Sequence, residues 1–159
     1  MNLYTRWMIR RDMKEVLDIE KNSHAFPWSE EDFLRILRER HTIGMVTEDQ
    51  VTDKIVGYVI YTLEEKHLII QSITVDPTLR RKGIATHILQ YIKNKTSNSV
   101  RTSIRMTVSE KNLPTQLLLK KNGFLATKVV RNYYSAEEDG YKMKYLLKKR
   151  HKVENTVEV

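Results

Sequence analysis

The chain is predicted to fold as a single α/β domain, with a mixed sheet of about seven strands flanked by about four helices. Three observations carry this. Short β-branched and aromatic runs alternate with amphipathic helical stretches in the order β-α-α-β-β-β-α-β-α-β-β. The 159 residues fit one domain with room for a real core. A content of 40% hydrophobic and 30% charged residues describes a folded globular chain rather than a disordered one. No repeat or linker divides the chain; residues 1–150 are read as the domain and 151–159 as a charged tail, with fraying expected from Lys148.

Residues 4–10 read as the first strand, and 12–22 as a helix with Met13, Val16, Leu17 and Glu20 at helical spacing. Pro27 and Trp28 interrupt the chain. Ser29 is then a good N-cap, with Glu30, Glu31 and Asp32 in the first turn and Phe33, Ile36 and Leu37 as an apolar stripe. Residues 41–48 and 54–63 read as strands joined by a polar turn, the second rich enough in Val, Ile and Tyr to lie centrally. Residues 68–75 form the next strand and 82–96 the next helix. A strand over 101–109, a helix over 113–122 and a hairpin from 127–132 and 141–147 complete the domain.

Composition removes several classes of function. The chain has no cysteine, so disulfides, thiolate metal sites and a cysteine nucleophile are excluded; no metal is expected. No apolar run approaches the roughly 18 residues of a membrane span, and the arginine-flanked N-terminus does not read as a signal peptide, so a cytoplasmic location is expected. The net charge of +8 is uneven: residues 1–78 carry 10 Lys and Arg against 14 Asp and Glu, while 79–159 carry 18 against 6. A polyanionic partner (a nucleotide cofactor, RNA or a ribosome) fits that asymmetry, and a solvated basic face is the alternative. Aromatics do not interleave with the basic residues, so no direct nucleic-acid recognition is expected.

The most informative stretch is Val75-Asp76-Pro77-Thr78-Leu79-Arg80-Arg81-Lys82-Gly83-Ile84-Ala85-Thr86. A strand, a basic loop with glycine at a tight position and then a helix make an anion cradle. The first N–H groups of a helix have no partner within it, and its dipole adds partial positive charge there. Gly83 and Ala85 let a pyrophosphate approach the backbone, and Arg80, Arg81 and Lys82 surround it with charge. The spacing is neither a Walker loop nor a dinucleotide fingerprint. A basic turn capping an ordinary helix is the plainer alternative.

That element order, the Arg80-x-x-Gly83-x-Ala85 spacing, and Asn112 followed by Gly123-Phe124 resemble the GNAT superfamily of acetyl-CoA-dependent N-acetyltransferases. Within it the chain is most similar to the bacterial ribosomal-protein-alanine N-acetyltransferases and related N-terminal acetyltransferases. Three runs carry this: His24-Ala25-Phe26-Pro27-Trp28-Ser29-Glu30, Arg131-Asn132-Tyr133-Tyr134, and Glu138-Asp139-Gly140-Tyr141-Lys142-Met143. The resemblance implies that Ile73, Thr74 and Val75 bind the pantetheine arm through backbone groups. It implies that Arg80, Arg81, Lys82, Gly83, Ile84, Ala85 and Thr86 cradle the pyrophosphate and that the Asn112 side chain contacts the cofactor. An acceptor N-terminus, ribosomal protein being the first candidate, would thread between Phe26, Pro27 and Trp28 on one side and Tyr133 and Tyr134 on the other. A monomer is expected.

The chain departs from the family where protons move. The family's general base, a Glu five positions before the Asn, is here Thr107; its general acid, a Tyr seven positions after it, is Leu119. The loss is tolerable for an α-amine. With a pKa near 7.7–8.0, roughly a quarter of it is neutral at pH 7.4, against about 0.1% of a lysine side chain. Correct placement of the reactants supplies much of the acceleration by itself. Tyr133 and Tyr134 are the first substitutes, with His67, Glu64, Glu65 and Glu110 behind them and a water held by Gln71 and Thr107 as a further possibility. Acetylation of a small amine in an acidic, closed pocket, or a non-catalytic acyl-CoA-binding module, are the competing readings.

Overall fold

The computed structural model describes residues 1–97 and 100–147; the fraying expected from Lys148 lies outside the described residues. Seven strands form one mixed sheet: β1 (Leu3–Trp7), β2 (Thr42–Asp49), β3 (Lys54–Leu63), β4 (His67–Val75), β5 (Ser103–Ser109), β6 (Leu125–Ser135) and β7 (Glu138–Leu146). Their spatial order is β1-β2-β3-β4-β5-β7-β6. Every neighbouring pair is antiparallel except β4 and β5.

Four helices cover the sheet: α1 (Met13–Ser23), α2 (Glu30–Leu37), α3 (Ile84–Lys93) and α4 (Leu113–Lys121). Strand side chains alternate between faces, so β3 feeds two cores. Val56, Val59 and Tyr61 pack with Ile84, Ile88, Leu89 and Ile92 of α3 and Leu119 of α4. Ile55, Tyr58 and Ile60 pack with Met13, Val16 and Ile19 of α1 and Phe33 of α2. The α2 start is the expected one: Ser29 Oγ accepts from Asp32 N at 3.2 Å and Asp32 accepts from Ser29 N at 2.9 Å.

Several expected boundaries move: β5 starts at Ser103 rather than 101, α3 ends at Lys93 rather than 96, and two others move for clear local reasons. The first strand ends at Trp7, not at residue 10, because Arg10–Asp12 winds into a 3₁₀ turn. Asp12 pins that turn, accepting from Ile9 N at 2.8 Å and from Arg6 Nη1 and Nη2 at 2.8 and 2.9 Å. The third helix starts at Ile84, not 82, because Arg81 and Gly83 have φ of 62° and 80°, outside any right-handed helix. The closing hairpin is longer than expected on both strands.

One irregularity shapes everything that follows. In the β3–β4 pairing Ile60 faces Ser72 but Tyr61 faces Ile70, so Gln71 is an extra residue in β4. Such a bulge bends its strand. The parallel β4–β5 ladder pairs only His67, Leu68 and Ile69 with Ser103, Ile104 and Arg105, and stops two residues before the bulge. Beyond it β4 and β5 diverge, and the sheet opens at their carboxyl ends.

Candidate active site

The opening is a cleft of about 670 Å³. One wall is β4 with the loop and helix after it: Ile73, Thr74, Val75, Arg80, Arg81, Gly83, Ile84, Ala85 and Thr86. The other is α4, through Pro114, Thr115, Leu117, Leu118 and Lys121; His24, at the end of α1, also lines the cleft. Ligands of open α/β sheets sit at such carboxyl ends. Two residues read as part of the cradle stand apart from it. Lys82 lines a second cavity of about 690 Å³, among Asp18, Asp49 and Asp76. Asn112 does not line the cleft; it caps α4, its side-chain oxygen accepting from Thr115 N at 3.2 Å.

The cradle is suited to an anion. The N–H groups of Ile84, Ala85 and Thr86 have no hydrogen-bond acceptor among the described residues. Gly83 sits at φ 80°, and a Cβ there would meet nothing within 4 Å. The left-handed backbone thus favours glycine, and the space before it is open. The lining holds Arg80, Arg81 and Lys121 and no carboxylate. A diphosphate linked to an extended, amide-bearing arm fits this wall: cations and free N–H groups at one end, and at the other a strand whose β5 side is unpaired.

The opposite side is occupied with structural work. Leu119, at the family's acid position, is fully buried in the core. Thr107 pairs with Lys142 of β7, and its carbonyl accepts from the Tyr134 hydroxyl at 3.1 Å. Burial, then the neighbouring Tyr133 and Glu138, push the Tyr134 phenol up to about 12. Tyr134 is therefore a protonated donor at neutral pH, not a base. Tyr133 packs edge-on against Tyr134, with ring centroids 4.8 Å apart; the two residues are each about half exposed, at 53% and 45%.

The other substitutes fall away by position. His67 opens β4 at its paired end, Nδ1 lying 2.6 Å from Ser103 Oγ. Six residues of strand, about 20 Å, separate it from Ile73. Glu64 and Glu65 occupy the turn just before it. Glu110 accepts from Asp139 N at 3.1 Å, which ties the end of β5 to β7. Gln71 donates to Thr62 Oγ1 at 3.2 Å.

The segment between α1 and α2 contributes more than expected. Phe26 is 94% exposed beside the cleft-lining His24, whereas Trp28 stacks edge-on to Phe33 at 5.2 Å and is half-buried. Behind them lies Glu20, only 3% exposed. It accepts from Trp28 N at 3.0 Å and from the Tyr58 hydroxyl, and its other near neighbour is His24 Nε2 at 3.5 Å. His24 Nε2 also lies 3.1 Å from Thr74 Oγ1. Burial, then the Glu20 charge, push the Tyr58 phenol well above its ordinary range, which keeps it a donor. Glu20 stands on the apolar stripe of α1, where an acid has no place in a purely structural helix. That acid, four residues before a histidine, was the available signal.

The sequence model of the Acetyltransferase (GNAT) family matches residues 13–124, well over half of the chain. The [ribosomal protein bS18]-alanine N-acetyltransferase of Salmonella typhimurium is 27% identical over 123 residues, covering 77% of this chain and 81% of that protein. The crystal structure of the Escherichia coli ribosomal-protein-S18-alanine N-acetyltransferase superposes with a TM-score of 0.81 at 21% identity, covering 95% and 97% of the two chains. Ard1 from Thermoplasma volcanium superposes with a TM-score of 0.81 at 22% identity, over 94% and 100%. The expected fold is the observed one, and the anion-suited cleft opens where the sheet splits. The chain belongs to the GNAT acetyltransferase family: it is an N-acetyltransferase, and acetyl-CoA is its acetyl donor.

Proposed function

We propose that this enzyme acetylates the α-amino group of a protein N-terminus, a ribosomal protein being the first acceptor to test, by direct attack on the thioester while both substrates are bound. The observation that carries the reading is that no carboxylate lines the cleft, its cations being matched to the diphosphate. Polyamines and other cationic small amines need the opposite, an acidic closed pocket. The exposed aromatics, Phe26 on one side and Tyr133 and Tyr134 on the hairpin, offer an open passage for a peptide chain. The 27% identity to the Salmonella typhimurium enzyme, which is named for alanine of ribosomal protein bS18, supports the same class of acceptor.

In this reading Ile73, Thr74 and Val75 hold the acetyl-bearing arm along the free side of β4. Arg80, Arg81, Gly83, Ile84, Ala85 and Thr86 hold the diphosphate. Lys82 and Asn112 serve the loop and α4 more than the ligand. Placement of the amine against the thioester supplies most of the acceleration. Incubation of the purified protein with acetyl-CoA and a panel of N-terminal peptides, ribosomal sequences included, should give products acetylated at the α-amine by mass spectrometry. Acetylation confined to polyamines or other small amines overturns the reading. Tight CoA binding with no turnover on any amine would instead identify a binding module.

A further inference from the structure

We propose that His24 takes the proton from the acceptor amine, and that buried Glu20 holds its imidazole to that task. The proposal rests on the acetyl-transfer reading above. Among the residues lining the cleft, His24 carries the one side chain of a type that exchanges protons near neutrality; the other titratable groups there are Arg80, Arg81 and Lys121. The family's base and acid positions offer a threonine engaged by Tyr134 and a leucine in the core.

The local structure aims the ring. His24 is the C-cap of α1, and its extended backbone (φ −129°, ψ 142°) carries the side chain off the helix while its N–H still bonds Glu20 O at 3.2 Å. The imidazole reaches β4 at Thr74, within the stretch that lines the cleft. Glu20 faces the ring from α1, and Tyr58 faces Glu20 from β3. The ring's hydrogen-bond partner is Thr74 Oγ1, 3.1 Å from Nε2, and the Glu20 carboxylate 3.5 Å from the same nitrogen favours the tautomer with the proton there. Nδ1 has no hydrogen-bond partner among the described residues and is left as the acceptor. Carboxylate, imidazole and substrate then stand in the order that makes a histidine an effective base.

The step balances without any further reagent. The neutral amine attacks the thioester carbonyl carbon, the C–N bond forms and the C–S bond breaks. The proton leaves nitrogen for His24 Nδ1 and passes to the departing sulfur, so the products are the amide and the free thiol, with the imidazole neutral again.

The test compares the whole protein with His24→Gln, using acetyl-CoA and an N-terminal alanine peptide. At pH 7 the variant should lose about 10²-fold in kcat/KM, the low end for acid–base catalysis because part of an α-amine is already neutral. The deficit should shrink towards pH 9, free imidazole should restore part of the rate, and calorimetric CoA affinity should stay within about twofold. Glu20→Gln should lower kcat several-fold with KM little changed. A long-range 1H–15N spectrum of the unliganded protein at pH 8 should show His24 protonated on Nε2. A His24→Gln enzyme as fast as wild type, or a ring protonated on Nδ1, overturns the proposal. A wild-type protein that binds CoA but acetylates no N-terminal amine overturns the acceptor reading instead, so the two failures are told apart.

Discussion

The two walls of the cleft come from the same opened sheet, yet they use their polar groups in opposite ways. Along β4 and α3 the groups are left over: the N–H groups of Ile84, Ala85 and Thr86 have no protein acceptor, and Arg80 and Arg81 line the opening. On the β5–α4 side, Lys121 apart, the groups at the positions of interest are consumed. Asn112 caps a helix, the Thr107 carbonyl takes the Tyr134 hydroxyl, and Leu119 fills the core. A wall with unsatisfied groups can bind; a wall with satisfied ones can only support. In the proposed mechanism the proton chemistry missing from the second wall comes from the end of α1, where His24 Nε2 lies 3.5 Å from Glu20 and 3.1 Å from Thr74 Oγ1 of β4.

The largest break in that contrast comes from Gly83→Asp combined with Arg81→Ala. Aspartate at φ 80° costs about 1–2 kcal/mol of backbone strain, and it sets a negative charge where the diphosphate would lie. Together with the lost cation, CoA affinity should fall at least about 100-fold by calorimetry. Unchanged affinity would remove the diphosphate from this loop.

On the other wall, Leu119→Tyr restores the residue type of the family's acid at a fully buried site. Overpacking costs about 1–3 kcal/mol, so the melting temperature should fall by roughly 2–10 °C. Turnover should not rise; a clear gain would mean that this wall can still deliver a proton.

Asn112→Ala should show a smaller effect. Loss of the α4 cap costs about 1 kcal/mol, a few degrees of melting temperature. CoA affinity should change less than threefold; a larger drop would return Asn112 to the ligand. The smallest effect is a titration. Folding raises the Tyr134 and Tyr61 phenols to about 12, so the native state holds protons that the unfolded chain releases near pH 10. Their stabilisation is complete below about pH 10 and is lost as the pH rises towards 12. Ultraviolet tyrosinate titration should show no ionisation of Tyr134 between pH 6 and 9.

Much of the donor wall could be read from the chain, because its parts are contiguous. Strand, basic loop, glycine and helix lie within residues 73–86, and local physics dictates what each does. The same holds for the α2 cap at Ser29 and for β3, whose pattern gave its observed bounds. Lys82 lines the neighbouring cavity and not the cleft because residues flanking a turn with two left-handed positions leave it in different directions, and composition does not record direction.

By itself the sequence determined the element order, the two-faced apolar patterning and the glycine of the cradle. Each depends on residues within a few positions of one another, where spacing and dihedral preference are enough. Tertiary structure decided the rest. The bulge at Gln71 opens the sheet only because β3 keeps its register on both sides of the extra residue. Glu20, His24, Tyr58 and Thr74 become one network only when α1 is laid across β3 and β4, bringing together residues as much as 54 positions apart. Burying an acid is costly unless its oxygens find donors, and no local pattern reveals which donors the fold will bring.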